Sequence, residues 1–157
     1  MDVVNAEKKN DQYYFVTQGD ITLVDGVPTQ AYTNTAKALE DADAKDKDGN
    51  QVYVQVWEAS ANGGKGAMVD TSEKLVNRGL KTSMTEQVKK AANSYLANTD
   101  WMVIRKAERD VAIPSATATY RAAVLTECTR LESAIAGAGD VDALQTVMAG
   151  QNWPKES

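Results

Sequence analysis

An acidic turn is the first stretch of this chain whose residue types could do chemistry. Calcium-binding loops of the EF-hand type place their oxygen ligands around a glycine at the sixth position. With Gly49 in that position, Asp46 and Asp48 fall on the third and fifth positions, as the ion requires. Ala44 and Gln55 then fall on the first and twelfth positions, where carboxylates are needed. Because both of these ligands are missing, we predict a solvated acidic turn and no metal site.

A glycine-rich stretch, Gly63-Gly64-Lys65-Gly66, is the second candidate, because phosphate-binding loops are rich in glycine. A Walker loop needs a glycine five residues before its final Gly-Lys pair, and a Ser or Thr directly after the lysine. Here the upstream glycine is missing, and Gly66 and Ala67 follow the lysine. We therefore predict a flexible linker and no nucleotide cofactor.

Nucleophilic and general acid–base catalysis lack their usual partners in this sequence. Cys128 is the single cysteine, and the chain contains no histidine that could activate it. It falls on the apolar stripe of a predicted helix, which indicates a buried core cysteine. Glu127 and Glu132 could support glycoside hydrolysis if the fold brought them together, but among 22 acidic residues such a pair is uninformative. We expect no catalytic site.

Composition and charge restrict the partners. The chain has 157 residues, of which 43% are apolar and 25% charged, enough for one ordinary domain or two very small ones. Only one residue is Phe, so we expect a thin core and partner contacts that supply part of the stability. The net charge of −5 argues against nucleic acid and against an anionic membrane surface. We see neither an apolar run long enough for a membrane span nor a signal peptide.

The N-terminal side of the chain predicts strands. Tyr13–Thr17 and Ile21–Val24 are rich in aromatic and β-branched residues, and Asp25-Gly26 is a hairpin turn signal before a returning strand over Val27–Tyr32. Thr35–Lys45 has weak helical character.

The strongest strand signal is Gln51–Ala59, where Val52, Val54 and Val56 fall on one face. Tyr53 and Trp57 share one face of this predicted strand. An aromatic second face suggests cover from another element or from a partner subunit.

From Thr71 onward the pattern is helical, with apolar residues three and four positions apart. The longest predicted helix carries the apolar stripe Val124, Cys128, Leu131 and Ile135, which could contact another chain. The first predicted helix begins at Thr71 or Ser72 and ends near Gly79, and the second spans Thr85–Asn98. The third spans Trp101–Arg109 after a cap at Thr99 or Asp100. The fourth runs from Ser115 or Thr117 to about Ala136, and a short fifth helix follows a cap at Asp140.

Pro114 breaks the helical pattern and predicts a corner between two helices. We expect Trp101 and Ile104 before the break to be buried against Tyr120 and Val124 after it. A tryptophan near the C-terminus, Trp153, is harder to bury and hints at an interface.

Arg105, Glu108 and Arg109 lie three or four residues apart before the corner. They either pair with one another on the surface, or Arg105 reaches a carboxylate on the next helix and clamps the corner.

The residues around this corner also resemble a known pattern. They are Asp100, Trp101, Arg105, Glu108, Ile113, Pro114, Tyr120 and Arg121. Their order is similar to a helical hairpin at the C-terminal side of tail fibre assembly chaperones of tailed bacteriophages and of related small virion tail proteins. This chain has Asp110 where that family more often has glycine. The resemblance covers about a fifth of the chain and implies a protein that binds other tail proteins, without catalytic residues.

Together these patterns predict an α+β fold, with a small antiparallel β part at the N-terminal side followed by a helical hairpin or bundle. We expect a β-rich docking part at 1–60, a Gly-rich linker at 61–72 and a helical part at 73–157. The expected partner-binding residues are Tyr53, Trp57, Val124, Leu131, Ile135 and Trp153.

The expected function is that of a non-enzymatic bacteriophage tail protein, a virion component near the tail fibre or baseplate that forms homo-oligomers and binds other tail proteins. It would be made in the host cytoplasm and end in the virion tail. A tail fibre assembly chaperone, a small carboxylate-based hydrolase and a binding protein directed at the host are the alternatives.

Overall fold

Strands occupy the first half of the chain and helices the second, as predicted for an α+β fold. The computed structural model describes residues 4–155. In chain order the elements are β1 Val4–Asn5, β2 Tyr14–Val24, β3 Val27–Ala36, β4 Ala42–Asp43, β5 Tyr53–Glu58, α1 Ala61–Gly64, β6 Ala67–Lys74, β7 Val76–Asn77, α2 Leu80–Ala97, α3 Asp100–Arg109, α4 Ser115–Gly137 and α5 Val141–Ala149. In the described part of the chain the strands form three small sheets, with orders β1-β3-β2, β4-β7 and β5-β6.

The first hairpin, β2–β3, is longer than the sequence suggests. The two strands predicted on either side of residue 20 are one strand, interrupted by a bulge between Gln18 and Ile21. Gln30 fills the bulge, because its buried side-chain Nε2 donates a hydrogen bond to the Gly19 carbonyl oxygen at 2.6 Å. The predicted turn is confirmed at Asp25-Gly26, where both residues have positive φ, as the turns that fit strand twist require.

The predicted linker at 61–72 is wrong as a description of the local structure. Its glycines form a tight turn, since Gly63, Gly64 and Gly66 all have positive φ. The chain then returns as β6 and pairs antiparallel with β5, so the segment belongs to a hairpin. The helix predicted from Thr71 is likewise absent, because those residues continue β6. The weak helix predicted over Thr35–Lys45 is the end of β3, an irregular stretch and β4.

The helical predictions are confirmed more closely. Asp110 closes α3 in the left-handed conformation with φ 53°, as expected for a residue that replaces glycine there. Asp140 caps α5 through a hydrogen bond of 2.7 Å from the Ala143 backbone N–H to its Oδ1. α2 begins at Leu80, five residues before the predicted start at Thr85.

The core lies between α2 and α4, and its composition corrects one prediction. Val124, Leu131 and Ile135 are completely buried within this chain and do not form a partner-binding surface. Their stripe on α4 packs against α2 and α5, because helical residues three, four and seven apart share one face. One cluster joins Met84, Val88 and other residues at the start of α2 to Tyr14 of β2 and to Tyr13 just before it. A second cluster joins the end of α2 to the start of α4.

Gly79 holds the junction between the β part and α2. A Cβ atom at Gly79 would lie 2.3 Å from the Leu39 carbonyl oxygen and 2.4 Å from the Glu40 carbonyl carbon. The backbone N–H of Gly79 also donates to Asp41 Oδ1 at 2.7 Å. The requirement for glycine here is close approach of two backbones, because φ is −78°, which any residue can adopt.

Gly79→Ala is therefore expected to lower the free energy of unfolding by about 1–3 kcal/mol, since the backbone must move to admit the methyl group. Gly137→Ala is the matched control, because a Cβ there meets nothing within 4 Å. The control should be neutral or slightly stabilising. Urea unfolding of both variants measures the difference, and equal free energies would contradict the close packing at this junction.

The C-terminal segment is tied to α4 by a buried carboxylate. Glu127 accepts two hydrogen bonds of 2.7 Å from Arg130 and one of 2.7 Å from the Asn152 backbone N–H. The Arg130 guanidinium is the main cause that lowers the pKa of Glu127 below its ordinary value. This clamp places Trp153 against Tyr95, with ring centroids 5.2 Å apart. Trp153 is thus half-buried against both core clusters, and only its outer part is available to a partner.

Cys128 is half-buried beside the same helix pair. Burial raises the pKa of its thiol, and Glu132, whose Oε1 lies 3.5 Å from Sγ, raises it further. The thiol therefore stays protonated near neutral pH, which fits a packing role.

Candidate interaction surfaces

The acidic turn at residues 46–50 uses its own carboxylate to shape the backbone. Asp46 Oδ1 accepts hydrogen bonds of 2.9 Å from the backbone N–H groups of Asp48 and Asn50. The hydrogen bond from Asn50 is the largest cause that lowers the pKa of Asp46. Within residues 4–155 no group of three or more potential metal ligands converges.

The β5–β6 hairpin carries an exposed apolar surface. Trp57 is 64% exposed and lies directly opposite Met68, which is also exposed. The indole ring rests on the backbone of Gly66, since a Cβ at Gly66 would lie 2.2 Å from Trp57 Cζ2. One face of the ring is thus held by the hairpin while the rest is free. We call Trp57, Met68 and the neighbouring exposed Val56 the Trp57 surface.

Tyr53 is not part of the Trp57 surface, although side-chain alternation along the strand predicts that Tyr53 and Trp57 share a face. It is half-buried at the base of the hairpin, opposite Lys74, and the register shifts between Tyr53 and Gln55. The shift separates its surroundings from those of Trp57. The sequence therefore identified the correct strand, and the structure makes Trp57 its exposed anchor.

A second apolar surface lies at the end of the β2–β3 hairpin, and the sequence analysis did not single it out. Residues 19–30 extend beyond the bulge, and Ile21, Leu23 and Val24 are exposed there. A two-stranded hairpin is marginally stable in water without cover. The signal was present in the sequence as two β-branched and aliphatic runs around Asp25-Gly26, but nothing in it showed that the helices stop short of them. We call residues 19–30 the hairpin tip.

The third surface is α3, and it corrects the predicted helical corner. Tyr120 and Val124 are buried as expected, but Trp101 is 52% exposed and Ile104 is 57% exposed. No residue of α3 is buried. The short turn at Thr99 and the left-handed Asp110 direct α3 away from the α2–α4 pair, so its apolar side chains do not reach the core.

The corner is clamped by an arginine other than the one proposed. Arg121 on α4 donates to the Leu96 carbonyl oxygen at 3.0 Å and to the buried Thr99 Oγ1 at 2.6 Å. It also forms an ion pair of 2.9 Å with Asp100. Arg105 instead stacks on Trp101, with the guanidinium carbon 4.7 Å from the ring centroid.

Tyr120, the neighbour of this arginine, donates from its hydroxyl to the Tyr95 carbonyl oxygen at 3.1 Å. Tyr120 and Arg121 together therefore fix the carbonyl groups at the end of α2, where helical carbonyls lack partners within their own helix.

Arg121→Ala is expected to lower the free energy of unfolding by about 2 kcal/mol, because buried Thr99 and the end of α2 lose hydrogen bonds to a charged group. Arg109→Ala is the matched control, since Arg109 is an exposed arginine on α3. Thermal melts of both variants test the assignment. A control that is as damaging as Arg121→Ala would show that the clamp contributes nothing specific.

Comparison of this chain with known proteins finds no matching family model, no matching curated protein and no matching solved structure. Within residues 4–155, none of the helices is long and apolar enough to cross a membrane.

Proposed function

We propose that this chain is a non-enzymatic bacteriophage tail protein, a virion component near the tail fibre or baseplate that binds other tail proteins. The proposal begins from the resemblance around the Pro114 corner. Tyr120 and Arg121 in that pattern hold the end of α2, which leaves Trp101 exposed on α3. A scaffold that presents an exposed tryptophan fits a binding role better than a catalytic one.

The observation that carries the proposal is the amount of large apolar side chain left uncovered on projecting elements. The Trp57 surface, the hairpin tip and α3 each expose such residues. Contiguous exposed apolar surface of this kind usually marks a protein-binding site. Trp57 is the strongest anchor among them, because its ring is already held by Gly66 and loses little freedom on binding. The Trp57 surface is the proposed site for other tail proteins.

A tail fibre assembly chaperone is the nearest alternative, because it would use the same surfaces without entering the mature particle. The alternative of another class is a carboxylate-based hydrolase. Its candidate pair is engaged elsewhere, since Glu127 binds Arg130 and Asn152 while Glu132 faces Cys128 and Lys89. This arrangement favours a binding protein over that hydrolase.

Crosslinking in phage-infected cells, followed by purification of the tagged chain, tests the proposal. We expect tail fibre or baseplate proteins among the crosslinked partners, with crosslinks from Lys65, which adjoins Gly66 beneath the Trp57 ring. Crosslinks restricted to host proteins would contradict the proposal and favour the host-directed alternative.

A further inference from the structure

Neither the hairpin tip nor α3 has its apolar side chains covered by the other described residues of the chain. Leu23 in the tip is 73% exposed, and none of the residues of α3 is buried. The sheet packs against residues at the start of α2, whereas α3 follows its end. α2 has 18 residues and is therefore about 27 Å long. The two apolar elements thus adjoin opposite ends of the α2–α4 pair and leave each other exposed.

The strand register shows which side of the sheet the tip continues. Residues directly opposite each other in antiparallel strands share a face. Leu23 lies opposite Pro28 and Ile21 opposite Gln30, while Tyr14 lies opposite Ala36. These β3 partners are all even-numbered, so they lie on one face of the regular strand. Tyr14 is buried in the core, and Ile21 and Leu23 therefore extend the core-facing side of the sheet beyond the helices that cover it.

A helix is a suitable cover for such a face, because sheets commonly bury one side against helices. α3 offers the required surface, with Trp101, Ile104 and Val103 all exposed along ten residues. The pairing would bury the two apolar elements that the single chain leaves in water.

The charges of the two elements are complementary. Residues 10–36 contain no lysine or arginine, and the tip carries Asp20 and Asp25. On α3, the aspartates at the two ends are already paired with Arg121 and Lys106. Among the described residues, Arg105, Glu108 and Arg109 of α3 form no ion pair. The Arg105 Nε is buried without a hydrogen-bond partner. Two unpaired arginines against one glutamate leave α3 net positive, opposite in sign to the acidic tip.

We infer that the hairpin tip of one copy docks on α3 of a second copy, in a head-to-tail contact. Such a contact uses two different surfaces, so it generates rings or filaments and leaves one free surface at each end of an open chain of copies. The inference shares with the proposed function the assumption that exposed apolar surface serves assembly. It concerns contacts between copies of this chain, whereas the proposed function concerns contacts with other tail proteins.

Two single variants and their mixture test this geometry by light scattering coupled to size-exclusion chromatography. Leu23→Lys disables the tip and Ile104→Lys disables α3, because each places a charge in an apolar contact. Each variant alone should weaken self-association by roughly a hundredfold or more. Leu125→Lys is the matched control, since Leu125 is 53% exposed on α4 outside both surfaces, and it should assemble like the wild type. Circular dichroism melts check that all three variants remain folded.

The mixture separates the head-to-tail contact from other arrangements. An equimolar mixture of the two variants retains one intact tip and one intact α3, so it should form a dimer and stop there. A wild type that stays monomeric at the highest soluble concentration would overturn the inference. Loss of assembly in only one variant, or a mixture that stays monomeric, would also overturn it, because a two-surface contact requires both effects. Failure here leaves the crosslinking test of the proposed function unaffected, so the two can fail separately.

Discussion

Leu131→Ala is expected to lower the free energy of unfolding by about 2–5 kcal/mol, the largest effect on stability that we predict. Leu131 is completely buried on α4, in the cluster that also contains Met84, Val88 and Leu144. Removing its side chain leaves a cavity between three helices, which the rigid helix backbones cannot close. Guanidinium unfolding followed by circular dichroism measures the change.

Trp101→Ala is the variant whose loss of stability is compared with that of Leu131→Ala. It removes a larger side chain, and burial at the helical corner would make it equally costly. Because Trp101 is 52% exposed and its main partner is the stacked Arg105, we expect a cost of about 1 kcal/mol or less. A Trp101→Ala variant as destabilised as Leu131→Ala would mean that α3 packs on the core of its own chain, contrary to the structure.

Trp57→Ala is expected to weaken binding of the crosslinked tail protein by roughly thirtyfold or more, while stability changes little. The side chain is large, aromatic, mostly exposed and already held by Gly66, which are the properties of an interface anchor. Isothermal titration calorimetry with the purified tail protein gives the affinity of both forms.

Leu125→Ala serves as the control for this variant, because Leu125 is a comparably exposed apolar residue on the helical side. Its affinity should match that of the wild type. If Trp57→Ala binds as tightly as the wild type, the Trp57 surface is not the site, and the partner must use another part of the molecule.

The helical half was the more predictable from the sequence, because its apolar spacing and its caps are local signals. The stripe Val124, Leu131 and Ile135 identified the buried face of α4 correctly, but the sequence could not say whether its cover came from this chain. The cover comes from α2 and α5, and the apolar spacing of α2 was also visible in the sequence. Amphipathic helices of one chain can bury each other's apolar faces. Here they leave Val124, Leu131 and Ile135 of α4 inaccessible to a partner.

The β half was less predictable, because strand pairing joins residues that are distant in sequence. A run of glycines suggested flexibility at 61–72, yet the positive φ of Gly63, Gly64 and Gly66 makes it a turn between paired strands. The exposure of Trp101 and Leu23 could not be read from local patterns either. Both depend on where the helices end relative to the corner and the sheet, which the tertiary structure sets.

Quantitative mass spectrometry of purified virions, and of tail assembly intermediates from the same infection, tests the central claim most directly. The proposed function predicts peptides of this chain in mature virions at a constant number of copies per particle. Its presence in intermediates and absence from virions would identify the chaperone alternative. Its absence from both, in cells where the chain is abundant, would contradict a tail protein altogether.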